Sequence, residues 1–174
     1  MDSALARVPE DLPRLFSLTL DLPEFAQAWQ HCDNVSNFLG KAMSGDKKDS
    51  FRYENLLSTI INEILECLYH NHGAEGPVEL AIGAEGPWLQ FSILFKPDSA
   101  TAEFYESAGD ILAGDDVAER FDQSLLDSNR SPPGLAGLLE IAVSYDARFR
   151  IRRMAEKPLM KIDVVLDMDA LLEE

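Results

Sequence analysis

Three polar side chains interrupt the middle of an otherwise apolar stretch, LLSTIINEILECLYHNH, at residues 56–72. Asn62, Glu63 and Glu66 fall within little more than one turn of the helix that this stretch predicts. A carboxylate held on a helix can act as a general base when its surroundings adjust its pKa. The same three residues would also form the solvent-exposed side of a helix that buries its other side. The residues alone leave both interpretations open.

The other side chains with metal-binding or nucleophilic chemistry form no recognisable pattern. Cys32 and Cys67 have no metal-site spacing, and two cysteines are too few for a disulfide scaffold. His70 and His72 fall near the predicted C-terminal end of the helix, where the helix dipole favours a cation. No third ligand is evident beside them. We therefore expect no metal site from these residues.

The composition is that of one ordinary acidic domain. The chain has 174 residues, of which 46% are apolar and 26% charged, and its net charge is −16. Such a charge disfavours nucleic acid and anionic membranes as partners and favours a basic patch on another protein. No window approaches the length of a membrane span, and MDSALARVPED at the start lacks the apolar run of a signal peptide. We expect a cytoplasmic protein.

Hydrophobic periodicity predicts most of the elements. Alternation indicates strands over 15–22, 77–82, 88–95, 147–153 and 160–169, with GAEGP at 83–87 as a hairpin loop. Spacings of three and four indicate helices over 24–43 and from about 52 to 70. An acidic first turn suits a helix over 115–126, and a largely apolar run indicates a short helix over 135–145. We expect a break in the first helix near Asp33 and Asn34, and Gly73 is the candidate residue to end the second helix.

The segment 97–128 is the most acidic part of the chain. Its nine acids and one base give a local charge of −8, half of the whole excess. Composition leaves open whether this segment is a solvated mobile lid or a docking surface. We accordingly predict a flexible N-terminal arm over 1–15 and a single domain over 16–174 with an acidic lid-like insert over 97–133.

The predicted order, with strands in hairpins and helices kept together, is typical of an α+β two-layer sandwich. In it a mixed, mainly antiparallel sheet carries helices on one face and leaves the other face open. The last two strands would place Arg148, Arg150 and Arg152 opposite Asp163 and Asp167 as a ladder of charges on that open face.

Three segments carry a resemblance to a known family: NEILECLYHN at 62–71, GLAGLLEIAVSYDARF at 134–149 and FAQAWQHCDNVSNFLGKAM at 25–43. The first resembles the N-box, N-E-x-x-x-N-A, of the ATP-binding fold shared by histidine kinases, gyrase and MutL. The second resembles that fold's second glycine box. The third resembles the first helix of SiaB-type regulators. The chain thus looks like a degenerate histidine-kinase-like (GHKL) ATPase domain of the branch that includes anti-sigma-factor serine kinases.

The resemblance implies roles for particular residues. Glu63 matches the general base of phosphoryl transfer, while Asn62, Asp98, Gly134 and Gly137 fall where the nucleotide would bind. The family's magnesium-binding Asn is replaced by Cys67, and a thiol is a poor ligand for magnesium.

The first glycine box also departs from the pattern, since no glycine follows Asp98 until Gly109. Without glycines the backbone cannot easily turn tightly under a purine. No bound cofactor is therefore expected, although the family itself uses ATP and magnesium.

These matches lead us to expect a bacterial signalling regulator that docks on another signalling protein and does not turn over ATP. An active ATP-dependent serine/threonine protein kinase is the first alternative. An adaptor or assembly protein unrelated to nucleotides is the second. Related regulators often dimerise, so a homodimer is expected by analogy.

Overall fold

A computed structural model describes residues 11–71, 74–126 and 132–173, with the exception of Ala26. The elements in chain order are β1 (Arg14–Asp21), α1 (Leu22–Phe25), α2 (Gln30–Ser44), α3 (Ser50–His70), β2 (Ala74–Glu85), β3 (Trp88–Pro97), α4 (Ser99–Leu112), α5 (Val117–Leu126), α6 (Leu135–Ser144), β4 (Arg148–Arg153), β5 (Met160–Asp167) and α7 (Met168–Glu173). No helix in the described ranges is both long and apolar enough to cross a membrane.

The five strands form one open sheet in the order β1-β2-β3-β5-β4. Every pairing between these described strands is antiparallel, so the expected α+β class is confirmed and the expected mixed character is not. β2 continues to Glu85, beyond its predicted end at residue 82, so the hairpin loop between β2 and β3 consists of Gly86 and Pro87. Gly86 has a φ of 57°, which suits glycine in so short a turn.

One face of the sheet is apolar because alternate residues of neighbouring strands are in register. Leu80 lies opposite Ile93, Phe91 opposite Val164, and Ile162 opposite Ile151. The helices cover this face, and their buried residues join those of the strands in one core. The alternation that predicted the strands therefore also predicted which of their residues face the helices.

The opposite face is more covered than the predicted open face. Arg150 does lie opposite Asp163, but Arg148 lies opposite Val165 and Arg152 opposite Lys161. The Asp163 carboxylate is fully buried: its Oδ1 accepts from Gln90 Nε2 at 3.0 Å and from Ser92 Oγ at 2.5 Å. The predicted exposure of Asp163 was therefore wrong, although its carboxylate does form a cross-strand ion pair with Arg152 at 3.6 Å.

Residues 11–13, which fell in the predicted arm, lie across this second face. The Leu12 N–H donates to Gln90 Oε1 at 2.9 Å, and Asp11 forms an ion pair with Lys161 at 2.8 Å. A Cβ on Gly83 would lie 2.9 Å from the Leu12 carbonyl oxygen, so glycine permits this close crossing. β1 begins at Arg14, and residues 1–10 of the predicted arm lie outside the described residues.

The helices α2 and α3 pack side by side at a small residue. A Cβ on Gly40 would lie 2.9 Å from the Glu54 carbonyl oxygen, which marks a close helix crossing. The helix predicted over 24–43 is two helices, since α1 ends at Phe25 and α2 begins at Gln30, and α2 continues without a break through Asp33 and Asn34. Gly73, the predicted end of α3, lies outside the described residues.

The acidic segment contains a helix that the sequence analysis missed. α4 occupies 99–112, where we expected part of an acidic lid-like insert, and it buries Thr101, Ala102, Tyr105 and Ala108. Its contacts with β3 and β4 make it part of the fold. α5 confirms the helix predicted near 115–126, and residues 127–131 of the predicted insert lie outside the described residues.

Candidate functional site

The N-box-like residues of α3 and the glycines of α6 lie against one another. A Cβ on Gly137 would overlap the Glu63 Oε2 atom, and a Cβ on Gly134 would lie 2.7 Å from the Cys67 Cα atom. Glu63 and Cys67 are one helical turn apart on α3, and Gly134 and Gly137 are three residues apart on α6. The structure therefore brings four of the singled-out residues into one contact between two helices.

Gly134 has a backbone conformation that favours glycine. Its φ is +83°, in the left-handed region, and it immediately precedes the first residue of α6. Any other residue there would be strained, and its Cβ would also meet the backbone of α3. Glycine at position 134 therefore permits both the left-handed turn into α6 and the close packing against α3.

The surroundings of Glu63 disfavour its ionised form. Partial burial raises its pKa above the ordinary 4.5, and the negative charges of Glu66 and Glu140 raise it further. Burial and like charges both disfavour the ionised form. A carboxyl group with a raised pKa has the property that general acid–base chemistry requires, although its Oε2 atom faces Gly137.

Asn62 and Glu66 interact with each other on the adjacent side of α3. Asn62 Nδ2 donates to Glu66 Oε1 at 2.5 Å. Asn62 Oδ1 is buried and has no hydrogen-bond partner within the described part of the chain. Asn62 and Glu66 thus interact with each other, whereas Glu63 points towards Gly137, because successive residues of a helix are about 100° apart around its axis.

Cys67 is the residue at which the resemblance led us to expect a magnesium-binding Asn. It is buried, and this burial raises the pKa of the Cys67 thiol to about 12. Its Sγ–H donates to Tyr105 Oη at 3.8 Å, and Tyr105 belongs to the helix α4 that the sequence analysis missed. A protonated thiol inside a packed core offers no ligand to a hard cation.

Asn71 joins the end of α3 to the segment before α6. Its Nδ2 donates to the Cys67 carbonyl oxygen at 3.0 Å and to the Pro133 carbonyl oxygen at 2.8 Å. The sequence analysis did not single out Asn71, Tyr105 or Glu140. An Asn after the last residue of a helix was the available signal for Asn71, since this residue type commonly ends helices.

Asp98 caps a helix. It immediately precedes α4, and its Oδ1 accepts from the Thr101 N–H at 2.7 Å. Hydrogen bonds from Thr101 lower the pKa of Asp98 below its ordinary 3.8. Asp98 borders a cavity of about 150 Å³ that is also lined by Arg153, Lys157 and Leu159. Gly134 does not line this cavity and lies against Cys67 instead, so these two predicted nucleotide-binding residues do not share one cavity.

A larger cavity lies further towards the start of α3. Its volume is about 590 Å³, within the range of about 300–1,000 Å³ that small-molecule sites usually occupy. It lies between α3, the end of α6 and α7, lined by Phe51, Arg52, Asn55, Leu56, Thr59, Ser144, Tyr145 and Leu171. None of the predicted nucleotide-binding residues lines it.

No group of three or more His, Cys, Asp or Glu side chains in the described ranges could hold a metal ion. Comparison of the chain with models of protein families, with curated proteins and with solved structures finds no match in any of the three. The resemblance to the histidine-kinase-like ATPases therefore rests on the three short segments themselves. The chain is an α+β protein with a five-stranded antiparallel sheet packed against helices.

Proposed function

We propose that the protein is a regulator in bacterial signalling that acts by docking on another protein and does not turn over ATP. The observation that carries the proposal is the contact between α3 and α6. The carboxylate proposed as the base and the glycines proposed to hold phosphates lie against each other. Phosphoryl transfer depends on positioning and charge neutralisation, and these groups are engaged in packing.

The acidic helices α4 and α5 are the surface best suited to docking. Leu125 and Leu126 at the end of α5 are 67% and 88% exposed. Exposed apolar side chains beside Glu119 and Asp122 would suit a partner that presents an apolar group within a basic patch. Opposite charges would accelerate the encounter, and the leucines would supply contact area.

A nucleotide-binding measurement tests the first half of this proposal. We expect no change in the thermal unfolding midpoint when ATP and magnesium are added. Saturation at about 100 times the dissociation constant would stabilise a binding protein by about 2.7 kcal/mol, which is easily measured. A clear stabilisation by ATP with magnesium would contradict the proposal.

Substitution on α5 tests the docking surface. Deleting 98–130 is unsuitable, because it would remove the buried residues of α4. The double variant Leu125→Ser/Leu126→Ser should lose binding to a captured signalling partner while its unfolding midpoint stays close to that of the wild type. Met154→Ser, which changes an exposed apolar residue after β4, is the matched control. Equal binding by both variants would exclude this surface.

A serine/threonine protein kinase is the second candidate, and the raised pKa of Glu63 is the observation that favours it. If ATP binds, Glu63→Gln should abolish phosphate transfer to a protein substrate while ATP binding remains. An adaptor protein is the remaining alternative. It predicts no effect of ATP and a partner unrelated to sigma factors or phosphorylation switches.

A further inference from the structure

The two edges of the sheet differ in how well they are protected against pairing. An edge strand exposes unpaired N–H and C=O groups that can pair with another strand. β4, at one edge, has the sequence RFRIRR, and its four arginines would repel a second copy of β4. β1, at the other edge, has the sequence RLFSLTLD, with charges at its ends alone. In the described part of the chain no strand pairs with the outer side of β1.

Exposed apolar side chains lie beside the unprotected edge. Leu15 of β1 is 60% exposed and Phe38 of α2 is 58% exposed. The Phe38 ring packs edge-to-face on Phe16 of β1, with centroids 6.3 Å apart. A strand added to β1 would lie next to these side chains and cover apolar surface that is now in contact with water.

We infer that β1 pairs antiparallel with β1 of a second copy, forming a homodimer with one continuous sheet of ten strands, five from each copy. The dimer axis would pass through Leu18, so that Phe16 of each copy lies opposite Leu20 of the other, and Ser17 opposite Thr19. Apolar residues then share the core face of the sheet, and polar residues share the opposite face.

The charges at the ends of β1 select this register. β1 has an irregularity between Arg14 and Phe16, where Arg14 pairs with Gly83 and Phe16 with Ile82 of β2. Leu15 is therefore the extra residue of a bulge, and Arg14 takes the place next to Phe16 in the alternation. In the dimer each exposed Arg14 lies opposite Asp21 of the second copy. A shift of two residues would leave both charges unmatched.

The two charges cannot pair within one chain. Arg14 and Asp21 are the first and last residues of an eight-residue strand, so roughly 20 Å separates them. Any energetic coupling between them must therefore come from another molecule. This property makes a charge exchange a direct test of the interface.

The test is the dimer dissociation constant, measured by sedimentation velocity over a concentration series. The wild type is expected to dimerise. Arg14→Asp and Asp21→Arg should each raise the dissociation constant by about tenfold, because each turns two attractive cross-strand pairs into repulsive ones. The double variant Arg14→Asp/Asp21→Arg should restore dimerisation to near the wild-type level. Arg148→Asp, on the other edge, should leave the dissociation constant unchanged.

Cysteine cross-linking checks the register independently. Ser17→Cys and Thr19→Cys are exposed substitutions that the proposed register places opposite each other, so a disulfide should form when the two variant proteins are mixed. Ser17→Cys by itself should cross-link much more slowly. A wild-type protein that stays monomeric, single charge variants that dimerise normally, or a double variant that is not restored would each overturn the inference. Circular dichroism spectra equal to the wild type's would show that the variants fold.

Discussion

At the residue scale, Gly134 and Gly137 contact α3 through different kinds of atoms. The space beside Gly134 is closed by the Cys67 backbone, whereas the space beside Gly137 is closed by the end of the Glu63 side chain. Backbone atoms of a packed helix cannot move independently, but a carboxylate can rotate about its own bonds. Two glycines that look equivalent in the sequence are therefore expected to respond differently to substitution.

We expect Gly134→Ala to lower the free energy of unfolding by about 1–3 kcal/mol, since it combines a positive φ with a backbone clash. Gly137→Ala should be nearly neutral or stabilising by up to about 1 kcal/mol, because alanine favours a helix more than glycine does. Urea unfolding of the two variants would measure both values. Equal losses would mean that Glu63 cannot move away from α6.

Glu63 should make stability depend on pH in a particular direction. Its pKa is raised in the folded protein, so the folded state favours the protonated carboxyl group. This contribution to stability is fully present below the unfolded pKa and is lost as pH rises through the folded pKa. Glu63→Gln should therefore gain stability relative to the wild type as pH rises from below 4.5 towards neutrality.

The measurement is the difference in unfolding free energy between Glu63→Gln and the wild type across this range of pH. Glu156→Gln, in the exposed turn between β4 and β5, is the control and should show a much smaller change. A difference that is constant with pH would show that Glu63 is not perturbed by its surroundings.

At the element scale, α4 shows how charge can conceal a helix. Ala102, Tyr105 and Ala108 recur at intervals of three and form its buried side, but acids occupy much of the remaining surface. The same acids supported the prediction of a lid-like insert. The small buried residues of α4 become recognisable as a packing face only when the surface they pack against is known. β3 and β4 provide that surface.

The start of α4 depends on Asp98. We expect Asp98→Ala to lower the thermal unfolding midpoint, because the Thr101 N–H would lose its acceptor, while Asp98→Ser retains most of the stability. The pKa of Asp98 is lowered in the folded state, so its charged form stabilises the fold. That contribution is present above 3.8 and is lost as pH falls through the folded pKa. The difference between Asp98→Ala and wild type should therefore shrink in acid.

At the scale of the whole molecule, a net charge of −16 opposes compaction. Mutual repulsion raises the free energy of the folded chain more than that of the expanded unfolded chain. It also opposes association of two copies, so the dimer proposed above should be measured at about 0.15 M salt, where charges are screened over about 8 Å.

We therefore expect the unfolding midpoint to rise as sodium chloride is added from low ionic strength. Screening should relieve the repulsion within the acidic surface. The variant Glu119→Lys/Asp122→Lys changes the net charge from −16 to −12, since each substitution adds two positive charges. Its midpoint should depend less on salt. A midpoint that falls with salt in both proteins would indicate that attractive ion pairs dominate.

The sequence by itself determined the local elements. Alternation in PVELAI and WLQFSILF predicted β2, β3 and their core-facing residues, and spacings of three and four predicted α3, because side-chain direction repeats with the backbone period of each element. The tertiary structure decided contacts between residues distant in the chain, such as Glu63 with Gly137 and Asp163 with Gln90. Those contacts depend on how the helices and strands pack, and a period within one element carries no information about the neighbour it meets.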